Sequence, residues 1–205
     1  MQSTVASHAG SAANGLLAAQ GTTDETLLDR ISTGDKQAMH VLYGRHNVRV
    51  YRFILRMVGD TSTAEDLVSQ VFLDVWRTAG QFERRSQVST WMLAIARFKA
   101  LTALRSRKRY EDADQDEVLQ IADQGDTPEA SMDRKQTGDT LRKAINLLSP
   151  AHREIIDLVY YHEKSVEEVG QIIGIPQATV KTRMFYARKH LAQLLKDVGF
   201  ERNAA

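Results

Sequence analysis

A group of cationic and aromatic side chains near the C-terminus has the types and spacing needed to recognise DNA. Between Lys181 and Lys196 the sequence has five basic residues and no acidic one, with Phe185 and Tyr186 among them. A lysine can donate to guanine O6 or N7, and a phenylalanine ring or a threonine methyl can contact the methyl of thymine. The chemistry that this group favours is non-covalent reading of base edges.

The residues around this group predict a helix, a tight turn and a second helix. Ser165 and Glu168 have the spacing of a capping box, which starts a helix. Gly174 can adopt the positive φ that ends one, and Pro176 suits the first turn of the next. A basic amphipathic helix behind such a turn is typical of a helix-turn-helix that reads the major groove.

The apolar stripe of the second helix fixes its orientation. Val180, Met184, Ala187 and Leu191 share the face that must point to the core. The candidate base contacts on the opposite face are Lys181, Thr182, Phe185 and Tyr186. The candidate phosphate contacts at the edges of that face are Thr179, Arg183 and Arg188. Packing of Phe185 and Tyr186 against a neighbouring helix is the alternative for the two aromatic residues.

Composition bounds the rest of the chain. The 205 residues include no cysteine, which excludes a disulfide scaffold, a cysteine zinc site and a catalytic thiol. No alternating pattern favours a sheet, so we predict an all-α protein. No apolar run approaches the roughly 20 residues of a membrane span, and the N-terminus lacks the features of a signal peptide, so a cytoplasmic location is expected.

Charge is strongly segregated along the chain. Residues 111–133 contain nine acidic residues and no lysine or arginine, so with a total of +1 the remainder carries +1 − (−9) = +10. This pattern predicts two small, basic helical domains, at 23–110 and 134–199, joined by a flexible acidic linker at 111–133. Residues 1–22 have little to bury and are predicted to form a disordered tail.

Four helices are predicted in the first domain. The first ends at Gly34, the second spans 35–58, the third starts at Thr61 or Ser62, and the fourth starts at Ser89 or Thr90 and reaches Arg109. In the fourth helix Trp91 is expected to share a core face with Ile95 and Phe98.

Three motifs carry a resemblance to a known family. They are GDTSTAEDLVSQVFLDVW at 59–76, TWMLAIAR at 90–97 and GIPQATVKTRMFYAR at 174–188. In this order they resemble bacterial RNA polymerase sigma factors of the extracytoplasmic-function class. The resemblance implies a first domain that binds the β′ clamp of core polymerase and the −10 promoter element. It implies a second domain that binds the β flap and the −35 element, and control by an anti-sigma factor.

The resemblance also assigns residues in the first domain. The polymerase-binding set on the third helix is Glu65, Asp66, Ser69, Gln70 and Asp74. A loop at 82–86 is expected to capture a flipped base, and the −10 set is Phe82, Arg84, Arg85, Ser86, Arg97, Lys99, Arg105 and Lys108. Three positions depart from many family members: Ser69 replaces Gln, Phe98 replaces Asn and Tyr186 replaces Arg.

Two other classes of protein compete with this interpretation. A helix-turn-helix repressor or activator would form a homodimer and bind palindromic DNA without polymerase. An enzyme would need a metal or phosphate motif or a nucleophile, and no such motif is present. The six histidines are scattered along the sequence, so no cofactor, no metal and no catalytic residue are expected.

Overall fold

The computed structural model describes residues 22–113 and 132–197. The predicted tail at 1–22 therefore lies outside the described residues except for Thr22, and most of the predicted linker at 111–133 lies outside them too. The described chain forms two compact units: a first unit of residues 22–55 and 61–102, and a second unit of residues 56–60, 103–113 and 132–197. Each is described by itself below.

The described residues are helical and contain no strand, as the all-α prediction requires. In chain order the α-helices are α1 (Asp24–Ser32), α2 (Lys36–Val58), α3 (Thr61–Thr78), α4 (Val88–Ala113), α5 (Met132–Asn146), α6 (Pro150–Ile156), α7 (Val166–Ile173) and α8 (Gln177–Asp197). A 3₁₀ turn at Ala79–Gln81 follows α3, and a π-helical turn at Asp157–Tyr161 follows α6. None of these helices is long and apolar enough to span a bilayer.

Local signals explain most helix ends. Ser149 caps α6 through its hydroxyl, which accepts from the His152 backbone N–H, and Pro150 takes the first helical position. Gly34 and Gly59 have positive φ values of 90° and 73° where α1 and α2 end. The start of α4 is different from the prediction: it begins at Val88, and Ser89 and Thr90 lie inside it. The Gln87 carbonyl accepts from the Thr90 and Trp91 N–H groups, both at 3.0 Å, so the helical bonds begin one residue before the buried Val88.

The first unit buries the apolar faces of α1 to α4 against one another. Its largest fully buried side chains are Leu27, Leu28, Ile31, Leu42, Val50, Phe53, Ile54, Val71 and Met92. Tyr43 on α2 packs on Phe72 of α3 with ring centroids 4.7 Å apart. This packing, rather than helix propensity, provides most of the stability that holds the surfaces in place.

One partly buried hydrogen-bonded cluster in the first unit was not apparent from the sequence. His46 Nε2 on α2 lies 2.6 Å from Asp24 Oδ2 at the start of α1, and Arg45 Nη1 donates to Asp24 Oδ1 at 2.7 Å. Burial raises the pKa of the Asp24 carboxyl, but the bonds and charges of His46 and Arg45 outweigh it, so that its pKa lies below the ordinary 3.8. His46 is thus a structural partner of α1.

The lowered pKa of Asp24 predicts an acid-sensitive contribution to stability. Because the folded-state pKa is depressed, the stabilisation is present above pH 3.8 and is lost as the pH falls through the folded value. We expect Asp24→Asn to lower the free energy of unfolding of the first unit by about 1–2 kcal/mol at pH 7, with a smaller loss at pH 3. Urea unfolding of both proteins at the two pH values measures this, and equal losses at both would contradict the assignment.

Candidate nucleic-acid interface

The capping box that starts α7 is fully formed. Ser165 Oγ accepts from the Glu168 backbone N–H at 3.2 Å, and the Ser165 N–H donates to Glu168 Oε2 at 2.9 Å. The buried Lys164 ammonium donates to Glu168 Oε1 at 2.9 Å. Because the carboxylate is shared between the cap and the lysine, the start of α7 is held from two sides.

The turn between α7 and α8 is tight for a steric reason. Gly174 has φ +76°, the left-handed conformation that glycine adopts readily. A Cβ on Gly170 would lie 2.9 Å from the Ile175 carbonyl oxygen, closer than real Cβ contacts. The Pro176 carbonyl accepts from the Val180 N–H at 3.1 Å, which starts α8. The close approach at Gly170 therefore sets how α8 leaves the turn.

The orientation of α8 is the predicted one. Val180 and Ala187 are fully buried, and Leu191 and Leu194 pack against the cluster of Leu148, Ile156 and Ala187. On the other side Lys181 and Thr182 are exposed, as are Phe185 and Tyr186, whose exposed fractions are 61% and 54%.

Phe185 and Tyr186 pack on each other and remain accessible. Their ring centroids lie 5.4 Å apart in an edge-on arrangement, so burial against a neighbouring helix does not occur. The Thr182 hydroxyl donates to the Ala178 carbonyl at 3.0 Å, which leaves its methyl group and oxygen lone pairs for a ligand. At the edges of this face Thr179 and Arg183 are half-buried and Arg188 is exposed.

The polar face of α3 is exposed along most of its length. Glu65, Asp66, Ser69 and Gln70 are all exposed, and the Ser69 hydroxyl donates to the Glu65 carbonyl at 3.2 Å. Leu73, one turn beyond Ser69, is also 52% exposed. Leu73 was not among the residues predicted from the sequence, although its spacing of four residues from Ser69 places it on this polar face.

Asp74 and Lys99 were predicted for two different sites, and the structure joins them. Lys99 Nζ on α4 lies 2.8 Å from Asp74 Oδ2 on α3, and the lysine side chain is only 17% exposed. The pair ties α3 to α4 within the first unit. Their binding roles stay predictions, and each charge already has a partner in the protein.

The 82–86 loop is held to the rest of the first unit at two points. Phe82 is half-buried against Trp91, with ring centroids 5.2 Å apart. Arg84 has a φ of +56° and donates from Nη2 to both carboxylate oxygens of Asp29 on α1, at 2.7 and 2.6 Å. The hydrogen bond and the charge of Asp29 raise the pKa of Arg84 above its ordinary value. In the same loop Ser86 is half-buried, and Arg85 pairs with Glu83.

The prediction for Phe98 was wrong, since its side chain is 70% exposed. The buried side of α4 is formed by Met92, Ala96 and Ala100, which recur every four residues. Val88 and Leu93 are buried as well, but the later positions of this side are the small residues Ala96 and Ala100. A prediction that looks only for large apolar residues therefore places the buried side of this part of α4 wrongly. Arg105 and Lys108 are exposed near the end of α4, and Arg97 is half-buried.

Comparison with known proteins identifies the family. The Sigma-70 region 2 model matches residues 42–110, and the Sigma-70, region 4 model matches residues 144–193. The ECF RNA polymerase sigma factor SigL of Mycobacterium tuberculosis is 31% identical over 80% of this chain and 92% of its own length. The RNA polymerase sigma factor CarQ of Myxococcus xanthus is 32% identical over 85% of this chain and 98% of its own length. The chain is an extracytoplasmic-function sigma factor.

A further relative and a solved structure agree with this sigma factor assignment. BldN of Streptomyces coelicolor is 30% identical over 83% of this chain, and the match spans 65% of the BldN length. The sigma factor RpoE of Bartonella quintana, solved with the anti-sigma factor NepR, superposes with a TM-score of 0.64 at 28% identity, over 75% of this chain and 94% of its own.

The two family regions of this sigma factor contain the surfaces described above. The region 2 match includes the exposed face of α3 and the 82–86 loop, and the region 4 match includes α7, the Gly174 turn and the exposed face of α8. Within the described residues no three His, Asp or Glu side chains are grouped as metal ligands would be. Sigma factors direct RNA polymerase to promoters, which is a task for binding surfaces.

Proposed function

We propose that this sigma factor reads the −35 promoter element with the exposed face of α8. The observation that carries the proposal is the combination of Lys181, Thr182, Phe185 and Tyr186 on one accessible side of a helix that follows a tight glycine turn. Major-groove readers place such a helix against base edges. Thr179, Arg183 and Arg188 border this face and contact phosphates, which position the helix without specifying sequence.

The 82–86 loop and α4 bind the −10 element. Phe82 and Trp91 form a half-buried aromatic platform, and Ser86 lies in the same loop. Arg85, Arg97, Arg105 and Lys108 supply cations for the DNA backbone. Arg84 and Lys99 are already paired with Asp29 and Asp74, so they act on DNA mainly by holding the loop and the helix in position.

The exposed face of α3 binds the β′ clamp of core polymerase, and the second unit binds the β flap. Glu65 and Asp66 offer carboxylates to a basic partner, while Ser69, Gln70 and Leu73 add polar and apolar contact area. Binding surfaces commonly combine an apolar centre with a polar rim.

Control by an anti-sigma factor follows from the same surfaces. The related Bartonella quintana sigma factor was solved in complex with the anti-sigma factor NepR. A protein that covers the α3 face or α8 would block polymerase or promoter binding. The chain itself performs no bond chemistry, and it works in the cytoplasm because the polymerase does.

Reconstituted transcription with a promoter library tests this function. With core polymerase, the protein should direct initiation at a defined promoter class, and Lys181→Ala should relax preference at one or two −35 positions by about 1–3 kcal/mol. Arg188→Ala, as the comparison, should weaken all promoters alike because a phosphate contact carries no sequence information.

Two results would contradict the proposal. Failure to bind core polymerase or to direct initiation would refute the function. A uniform loss for Lys181→Ala, equal to that of Arg188→Ala, would refute the assignment of Lys181 as a base contact.

A further inference from the structure

A cavity in the second unit lies beside the proposed base-reading face. It has a volume of about 430 Å³ and is lined by His152 near the start of α6 and by Tyr186, Lys189, His190 and Gln193 on α8. The rings of His152 and His190 meet edge-on, with centroids 6.3 Å apart. Of these five residues, only Tyr186 was among the predicted DNA contacts.

The lining of this cavity suits an anion. Imidazole, phenol, ammonium and amide groups can all donate hydrogen bonds, and none of the lining residues is a carboxylate. His152 Nδ1 is buried and has no hydrogen-bond partner among the described residues, so any donor that this ring offers to the cavity is its other nitrogen, Nε2. Gln193 Nε2 donates to Asp197 Oδ1 at 2.8 Å, and Asp197 is not part of the lining. A group with several charged oxygens would satisfy these donors, whereas a metal cation would face Lys189 without a balancing carboxylate.

The position of the cavity indicates where such an anion comes from. Lys189 follows Phe185 by four residues and Thr182 by seven, so the three lie on one side of α8. All three are exposed. The two backbones of a duplex flank the major groove, so a duplex that contacts Thr182 and Phe185 through that groove has phosphates on either side of α8, and Lys189 lies one turn beyond Phe185.

We propose that this cavity is a binding site for a backbone phosphate of the promoter duplex, with Lys189 as the charged contact and His152 and His190 as further donors. The inference rests on the proposed −35 function and extends the DNA contact surface from α8 to α6. A phosphate held here positions the recognition helix on the duplex and adds affinity that is independent of base sequence.

The direct test combines a side-chain variant with a modified duplex. A series of −35 duplexes, each with one neutral methylphosphonate, is titrated with wild type, Lys189→Gln and the control Lys196→Gln, which changes an exposed lysine on the same helix outside the cavity. At one or two neighbouring phosphate positions, the methylphosphonate should weaken duplex binding by wild type and by Lys196→Gln about tenfold. The same modification should weaken binding by Lys189→Gln much less. Lys189→Gln should also reduce the slope of log affinity against log salt by about one.

Each outcome decides the proposal. His190→Ala, a second variant that removes the imidazole donor from an exposed position, should show the same reduced sensitivity at the same position, and circular dichroism establishes that both variants are folded. If the methylphosphonate weakens binding by both cavity variants as much as it weakens wild-type binding at every position, the phosphate site is refuted while the −35 function stands. If wild type shows no sequence-specific duplex binding at all, the function itself fails.

Competition with inorganic phosphate distinguishes a phosphate of the DNA backbone from a free anion as the ligand of the cavity. At constant ionic strength, low-millimolar phosphate should leave wild-type binding to the duplex unchanged. Inhibition of wild type but not of Lys189→Gln would mean that the cavity takes a free anion, and it would overturn the assignment to the DNA backbone.

Discussion

Gly170→Ala is expected to lower the free energy of unfolding of the second unit by about 1–3 kcal/mol and to weaken −35 binding in parallel. The added Cβ would lie 2.9 Å from the Ile175 carbonyl oxygen. That oxygen belongs to the backbone of the turn, so the whole turn has to move to relieve the contact. Alanine favours a helix over glycine by roughly 0.5–1 kcal/mol, which offsets only part of the loss. Urea unfolding and duplex titration measure the two effects.

Gly138→Ala is the matched control for this prediction. Gly138 also lies inside a helix of the second unit, but the only neighbour of an added Cβ is the flexible end of Arg142, 3.8 Å away. Here the helix preference of alanine acts alone, and the variant should be more stable by roughly 0.5–1 kcal/mol. If both variants are stabilised to the same extent, the close approach at Gly170 does not constrain the helix-turn-helix.

Asp66→Lys is expected to weaken binding to core RNA polymerase by about tenfold to a hundredfold without changing the stability of the protein. Asp66 is exposed on the proposed docking face of α3, so a reversed charge would meet the basic partner surface with repulsion. An exposed position with no packing role should tolerate the substitution within about 0.5 kcal/mol. A titration of labelled core polymerase measures the affinity, and thermal unfolding checks the fold.

Glu167→Lys provides the same charge reversal away from that face. Glu167 is exposed in the first turn of α7, in the second unit. Its effect on polymerase affinity should be small and should disappear at higher salt, because only the long-range field changes. Equal losses for the two variants would assign the effect of Asp66→Lys to net charge and would remove the specific role of the α3 face.

The features that could be read from the sequence are those with local causes. The capping box of Ser165 and Glu168, the Ser149 cap before Pro150 and the positive φ of Gly174 each depend on residues within a few positions of one another. The exposed face of α8 was predictable as well, because a single apolar stripe on a helix determines which side remains outside.

The tertiary structure decided everything that depends on pairs of elements. Asp74 meets Lys99, Arg84 meets Asp29 and His46 meets Asp24 across 25, 55 and 22 residues of sequence. The periodicity of apolar residues within one helix indicates which side chains lie on the same side of it. It does not indicate which other helix packs against that side. Phe98 shows the same limit, since it is exposed while Met92, Ala96 and Ala100 form the buried side of the same helix.

The cavity beside α8 belongs to this second group. His152 and His190 are distant in sequence, and no sequence motif links them. Only the packing of α6 against α8 brings their rings together. Local chemistry was thus sufficient to predict that this chain is helical and that α8 exposes a basic and aromatic face behind a tight turn. The partners of its charged side chains were set by long-range packing, because a charge is matched by whichever group the folded core places beside it.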